Sequence, residues 1–154
     1  MSRDKEKAAL MAAIGAESSA WQEDVQRFDA AAARHLGVNA TDLRCAYLLM
    51  QRPMTAKELA GATGLTPGAV TTVLDRMEAA KLARRRHDDV DRRRLVVEVT
   101  AEARKKMEQI WGPLVADGMA MMRRHSSEEL KLVLAFIEKV RAIQQAHIAR
   151  LERG

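Results

Sequence analysis

Six arginines stand within eleven residues of this chain: Arg84, Arg85 and Arg86, then Arg92, Arg93 and Arg94. Guanidinium groups at that density suit phosphate, which they meet through paired N–H donors. A solvated charged loop is the plainer reading of a single arginine triplet. Two triplets bracketing the short acidic run Asp88-Asp89-Val90-Asp91 weigh toward a segment built for anions. The surroundings agree in sign. Residues 1–50 carry net charge −1, whereas 51–100 and 101–154 carry +3 each, within a total of +5. Other chemistry finds less support. The lone cysteine, Cys45, excludes an intramolecular disulfide. The four histidines (His35, His87, His125, His147) are too far apart for a structural zinc pattern. His125 with Glu128 or Glu129 is compatible with a metal pair, but a solvated helix end accounts for it more simply. With no P-loop, Gly-x-Ser-x-Gly or dinucleotide fingerprint, neither an enzyme nor a cofactor is expected.

Elements that could position the arginines are legible on both sides of them. The chain has 154 residues, enough for one domain. With 47% hydrophobic but only 3% aromatic residues, its core must be built from Leu, Val, Ile, Ala and Met, which favours helices. Residues 5–35 read as one long Ala-rich helix, weakened near Gly15 and Ser18-Ser19 and closed at Gly37. Asn39 caps a second helix over residues 40–50, ended by Pro53. Thr55-x-x-Glu58 is a capping box that opens a short third helix. Thr66-Pro67 starts a fourth, running to Lys81 with Val70, Val73, Leu74 and Met77 on its apolar face. Residues 82–87 and 95–99 read as two strands around a polar hairpin loop. Thr100 caps a long helix to about His125, with a kink or break predicted at Gly112-Pro113. Ser126-x-x-Glu129 opens the last helix, to about Leu151. No apolar run reaches membrane-spanning length and the first ten residues lack a signal-peptide core, so a soluble, cytoplasmic protein is expected.

The segment Ala56 to Leu74 carries a helix-turn-helix signature. Ala60 is small where the two helices cross, Gly64 sits in the turn, and Leu65, Val70 and Val73 hold the second helix; an ordinary αα-hairpin is the bland alternative. Gly68, Thr71, Thr72 and Asp75 lie away from the apolar face. Short side chains let a helix enter a major groove closely, and threonine can hydrogen-bond base edges or pack on a thymine methyl. Thr66 and the helix N-terminus offer contacts to phosphate. Arg76 is placed for phosphate or as a partner for Asp75. In the following hairpin, or wing, Arg93 suits a minor groove, Asp91 can pin its guanidinium or the loop, and Arg84, Arg85, Arg86, Arg92 and Arg94 can reach flanking phosphates, although alternation forbids that all strand arginines face one way.

Residues 64–100 resemble the MarR (multiple antibiotic resistance regulator) family of winged helix-turn-helix proteins. The likeness rests on Gly64-Leu-Thr-Pro-Gly-Ala-Val-Thr-Thr-Val-Leu-Asp-Arg-Met77, on Asp91-Arg92-Arg93, which matches the family's Asp-x-Arg wing motif, and on the strand ending Val99-Thr100, where Val99 replaces the usual Leu. It implies a mainly α fold with a small β-hairpin wing: a DNA-binding lobe over residues 39–100, and dimerisation helices over 1–38 and 101–154 that interlock in a homodimer. Apolar stripes on the first, fifth and sixth helices, in excess of what the central lobe can cover, argue for the dimer independently; a monomeric bundle is the alternative. The resemblance further implies a regulator of nearby genes, often one relieved by a small aromatic or phenolic ligand bound between dimer domain and lobe. Trp21, His35, Cys45, Tyr47 and Trp111 are the residues available to such a pocket, with Met119, Met121 and Met122, although a methionine cluster at helical spacing is more often core. Some relatives sense oxidants through a first-helix cysteine; Cys45 falls in the second helix, on its apolar side, where a thiol is usually inert. The expected function is therefore a repressor binding a pseudo-palindromic duplex operator. An architectural DNA-binding protein, or a ligand- or thiol-sensing protein that has lost DNA binding, are the alternatives.

Overall fold

A side chain accepts a first-turn N–H in most helices, and it does so where the sequence places it. The structure is a computed structural model and describes residues 3–153. Its elements are α1 (Arg3–Leu36), α2 (Ala40–Gln51), α3 (Ala56–Thr63), α4 (Pro67–Ala79), β1 (Ala83–His87), β2 (Leu95–Val99), α5 (Ala101–Met122) and α6 (Ser127–Leu151). The Asn39 side chain accepts from the Asp42 N–H at 2.9 Å to start α2. Thr55 with Glu58, and Ser126 with Glu129, form complete capping boxes on α3 and α6. Thr66 and Thr100 accept from the N–H groups of Ala69 and Ala103. At the other ends, Gly37 and Gly64 take φ near +70°, which a residue with a Cβ rarely adopts, and so turn the chain out of α1 and α3.

Several boundaries differ from the sequence expectation, most by one or two residues. α4 ends at Ala79 because Lys81 itself adopts φ 58°, letting the Leu82 N–H reach back to the Met77 carbonyl at 2.8 Å; β1 therefore begins at Ala83 rather than 82. α5 ends at Met122, and the Arg124 and His125 N–H groups close a tight turn onto Met121 and Met122. Gly112-Pro113 does not break α5, which is continuous with Pro113 inside it. Proline forfeits one i→i−4 hydrogen bond, and the helix-forming residues on either side carry the helix across that gap.

The chain divides into two compact units, one up to Glu108 and one from Gln109 onward. In the first, Leu49, Leu59, Val70, Leu74, Met77 and Val96 are fully buried. Burial of side chains of this size contributes about 1.5–3 kcal/mol each. α4 packs against α2, α3 and β1. β1 and β2 pair antiparallel, with Ala83 opposite Val99 and His87 opposite Leu95. Two strands alone are marginal, and this pair is anchored by a bridge from the α2–α3 connection. The Met54 N–H donates to the Val97 carbonyl at 3.0 Å and the Val97 N–H returns to Met54 at 2.7 Å. In the second unit, α6 has no buried residue. No described helix is long and apolar enough to cross a membrane.

Glu58 is the most perturbed acid of this frame. Its carboxyl is lowered from 4.5 to about 2, first by the Thr55 backbone N–H, then by the Thr55 hydroxyl and by Arg52. A depressed folded-state pKa stabilises the fold in full above the ordinary value and loses that effect as pH falls from 4.5 toward 2. Glu58→Gln keeps the cap's acceptor without titrating. Its thermal midpoint is expected to fall less than that of the wild type between pH 5 and 2.5, as followed by circular dichroism.

Candidate nucleic-acid interface

α4 buries its apolar side chains and exposes a row of short ones. Val70, Val73, Leu74 and Met77, at i, i+3, i+4 and i+7, are buried; Gly68, Thr71, Thr72 and Asp75 repeat the same spacing on the exposed face. A Cβ added at Gly68 would meet nothing, so this residue lowers the profile of the helix without being required by packing. The Thr71 and Thr72 hydroxyls donate back to the Pro67 and Gly68 carbonyls at 3.1 Å. Their methyl groups and remaining oxygen lone pairs are left for a ligand. α3 and α4 are joined by Gly64-Leu65-Thr66 alone, and Thr66, the N-cap, is exposed at the tip.

The arginines separate into paired and unpaired groups. On one face of the hairpin, Glu98 stands between Arg84 Nη2 (2.6 Å) and Arg86 Nε (2.7 Å), and Arg86 also meets Asp89 at 3.1 Å. The Arg86 hydrogen bond is the main cause holding the Glu98 carboxyl below the usual carboxylate range. On the other face Arg85 reaches α4, bonding Asp75 at 2.8 Å and Glu78; the Glu78 carboxylate also accepts the Arg85 backbone N–H. Arg94 meets Glu58 at 3.4 Å. Among the described residues, only Arg92 and Arg93 of the two triplets have no ion-pair partner, and both are exposed at the wing tip. The tip is shaped by its acids. Asp88 accepts from the Val90 and Asp91 N–H groups, which lowers its pKa, and Asp91 accepts from the Arg93 N–H at 3.0 Å. Asp91 thus pins the loop backbone and not the Arg93 guanidinium.

Arg76 corrects the sequence expectation. Its guanidinium turns away from Asp75 and grips Asp42 of α2, with Nε to Oδ2 at 2.8 Å and Nη2 to Oδ1 at 2.5 Å. Asp42 is 1% exposed. The sequence reading missed Asp42, Glu58, Glu98 and Arg85 as residues that position this surface. A signal for Asp42 was present: it shares the i, i+3, i+4, i+7 spacing of Cys45, Ala46 and Leu49, so an acid occupies a core position.

The five residues expected around a small-molecule pocket have varied surroundings. Trp21 and His35 are exposed. Cys45 is fully buried, its thiol pKa pushed up by burial and then by Asp42. Tyr47 is half-buried, its hydroxyl donating to Asp29 Oδ1 at 3.1 Å. Trp111 is half-buried in the second unit. Of the five, only Tyr47 lines the cleft of about 350 Å³ between α1 and α2, together with Gln26, Asp29, Ala30, Ala40, Leu43 and Arg44. Met119, Met121 and Met122 are exposed in the single chain and form no core there. No metal-ligating group of three lies together among the described residues; His125 meets Glu129 at an exposed helix end.

A three-residue turn between two helices, an exposed small-residue face and a β-hairpin at its side define a winged helix-turn-helix protein. Residues 36–94 match the MarR family. The uncharacterized HTH-type transcriptional regulator YcgE of Bacillus subtilis (strain 168) is 38% identical over 127 residues, 82% of each chain. Among solved structures, the YusO protein of Bacillus subtilis superposes with a TM-score of 0.63 at 24% identity, covering 92% of this chain and 99% of that one. The S. aureus MepR–DNA complex gives 0.59 at 19% identity, covering 82% and 96%. The chain belongs to the MarR family of transcription regulators.

The pairing pattern separates structural from available arginines. Glu98→Ala, which removes the carboxylate shared by Arg84 and Arg86, is expected to lower the thermal midpoint, whereas Arg92→Ala and Arg93→Ala leave it unchanged in the same calorimetric series.

Proposed function

We propose that the chain is a sequence-specific, duplex-DNA-binding repressor that acts as a homodimer in the cytoplasm and is relieved by a small aromatic or phenolic effector. The observation that carries the reading is the exposed Gly68-Thr71-Thr72 face of α4 beside a wing whose tip arginines, Arg92 and Arg93, have no ion-pair partner among the described residues. The face has the low profile a major groove admits, and the tip has the charge that a narrow minor groove attracts. A structural neighbour, MepR, is known bound to DNA. Residues 39–100 would form the lobe on DNA. Arg84, Arg86 and Arg94, already paired to carboxylates, contribute less than their number suggests.

The dimer is supported by apolar surface that the single chain leaves in water. Leu134, Ile137 and Val140 on α6, Leu114 and Met119 on α5, and Ile14 and Trp21 on α1 are all exposed. Such stripes call for a partner, and a second copy presenting the same stripes provides a self-complementary one. Residues 1–38 and 101–154 would supply that interface. The cleft between α1 and α2 fits the effector: Leu43, Ala30 and Tyr47 offer an aromatic ring apolar contact, and Arg44 a cation for a phenolate.

The test is selection of duplexes from a random library by the purified chain, followed by titration against competitor DNA. The expected operator is pseudo-palindromic, with half-sites about 10 base pairs apart. Binding erased by random competitor would favour an architectural protein instead. Arg93→Ala should weaken operator binding roughly tenfold or more, as loss of one groove contact does, with folding unchanged; full affinity would sink the wing assignment. For the interface, Ile137→Glu should sediment as a folded monomer and lose operator binding, and a dimeric Ile137→Glu chain would argue against α6.

A further inference from the structure

The pair between Asp42 and Arg76 is out of proportion to any need for stability. Asp42 lies on the buried stripe of α2 with Cys45, Ala46 and Leu49, positions that an apolar side chain fills at no electrostatic cost. Taking a carboxylate out of water is expensive, and a partner that itself stays 46% exposed, as the Arg76 side chain does, offsets only part of that cost. What the pair supplies is direction. Nε and Nη2 of Arg76 meet the two oxygens of Asp42 as parallel bonds, a fork that closes in one orientation and one register. Asp42 is itself fixed. Its N–H is held by the Asn39 cap, and its place in the first turn of α2 sets its charge against the positive end of that helix. Arg76 is one turn beyond Thr72, so the grip falls just behind the exposed face of α4. The neighbouring residue, Asp75, and Glu78 hold Arg85 of β1, so α2 and β1 grip the helix from two sides.

We propose that Asp42 and Arg76 are positioning residues for the recognition helix: the fork, closed on the buried Asp42 carboxylate by an arginine whose side chain is 46% exposed, sets how α4 is presented to the major groove, and it commits the Arg76 guanidinium to Asp42 rather than to phosphate. This rests on the DNA-binding reading above. It assigns Arg76 a role through Asp42 rather than through DNA, opposite to the expectation from its place on the helix.

The experiment measures dissociation constants for the library-selected operator and for a random duplex, over a salt series. The chains are the wild type, Asp42→Asn, Arg76→Lys and the double substitution Asp42→Leu with Arg76→Met. The double variant fills the site with apolar volume and is expected to keep or raise the thermal midpoint. It should nonetheless lose at least tenfold in the ratio of operator to random affinity, and each single variant should lose a similar factor. The salt slope on random DNA should be unchanged in the double variant. In Asp42→Asn, which releases the guanidinium, it should steepen by about 0.9, the increment of one phosphate contact. A double variant that discriminates as well as the wild type overturns the positioning role. A double variant with a slope shallower by about 0.9 makes Arg76 a phosphate contact instead. A wild type that prefers no sequence overturns the DNA reading itself, an outcome read before any variant is compared.

Discussion

A helix of thirteen residues has one stripe to seat, and the seat of α4 decides what the rest of the chain presents. Val70, Val73, Leu74 and Met77 fix its rotation by burial against α2, α3 and β1. Because 3.6 residues make a turn, the same choice fixes which residues face out: Gly68, Thr71, Thr72 and Asp75. Apolar burial is not directional, however, and leaves a helix some freedom to slide or tilt. The polar contacts around α4 are directional, and they come from its own cap and from two neighbours: Thr66 at its start, Asp42 of α2 at Arg76, and Arg85 of β1 at Asp75 and Glu78.

Charge in the wing follows a similar economy of placement. A +5 chain with two arginine triplets suggests a broad cationic surface. The folded hairpin instead pairs Arg84 and Arg86 across the strands with Glu98, turns Arg85 toward α4, and ties Arg94 to the capping box through Glu58. Four of the six arginines hold the hairpin and its neighbours together. The remaining two stand at a tip whose shape is set by Asp88 and Asp91 accepting backbone N–H groups. Within the two triplets, the arginines left without an ion-pair partner are thereby confined to the wing tip.

Much of this was legible in the sequence because it is local. The caps at Asn39, Thr55, Thr66 and Ser126, the glycines at 37 and 64, and the apolar stripe of α4 each act within a few residues, and each appears in the structure as read. The misreadings were also local in origin. Of the kink or break that Gly112-Pro113 predicts, the break does not occur, and α5 runs through the pair. Lys81 entered the left-handed region without the glycine that usually signals it. Of the two partners the sequence offers Arg76, phosphate or Asp75, the second fails, because adjacent helical residues point about 100° apart and face different partners.

The sequence by itself determined the element order, the helix starts, the helix-turn-helix spacing and the family to which the chain belongs. These depend on interactions a few residues long, which periodicity and capping chemistry expose. Only the tertiary structure decided which charges are satisfied. Asp42 and Arg76 are 34 positions apart and Glu58 and Arg94 are 36; nothing in the chain between them encodes the meeting. Coulomb pairing depends on distance in space, and that distance exists only once the apolar faces have brought α2, α3, α4 and the hairpin together.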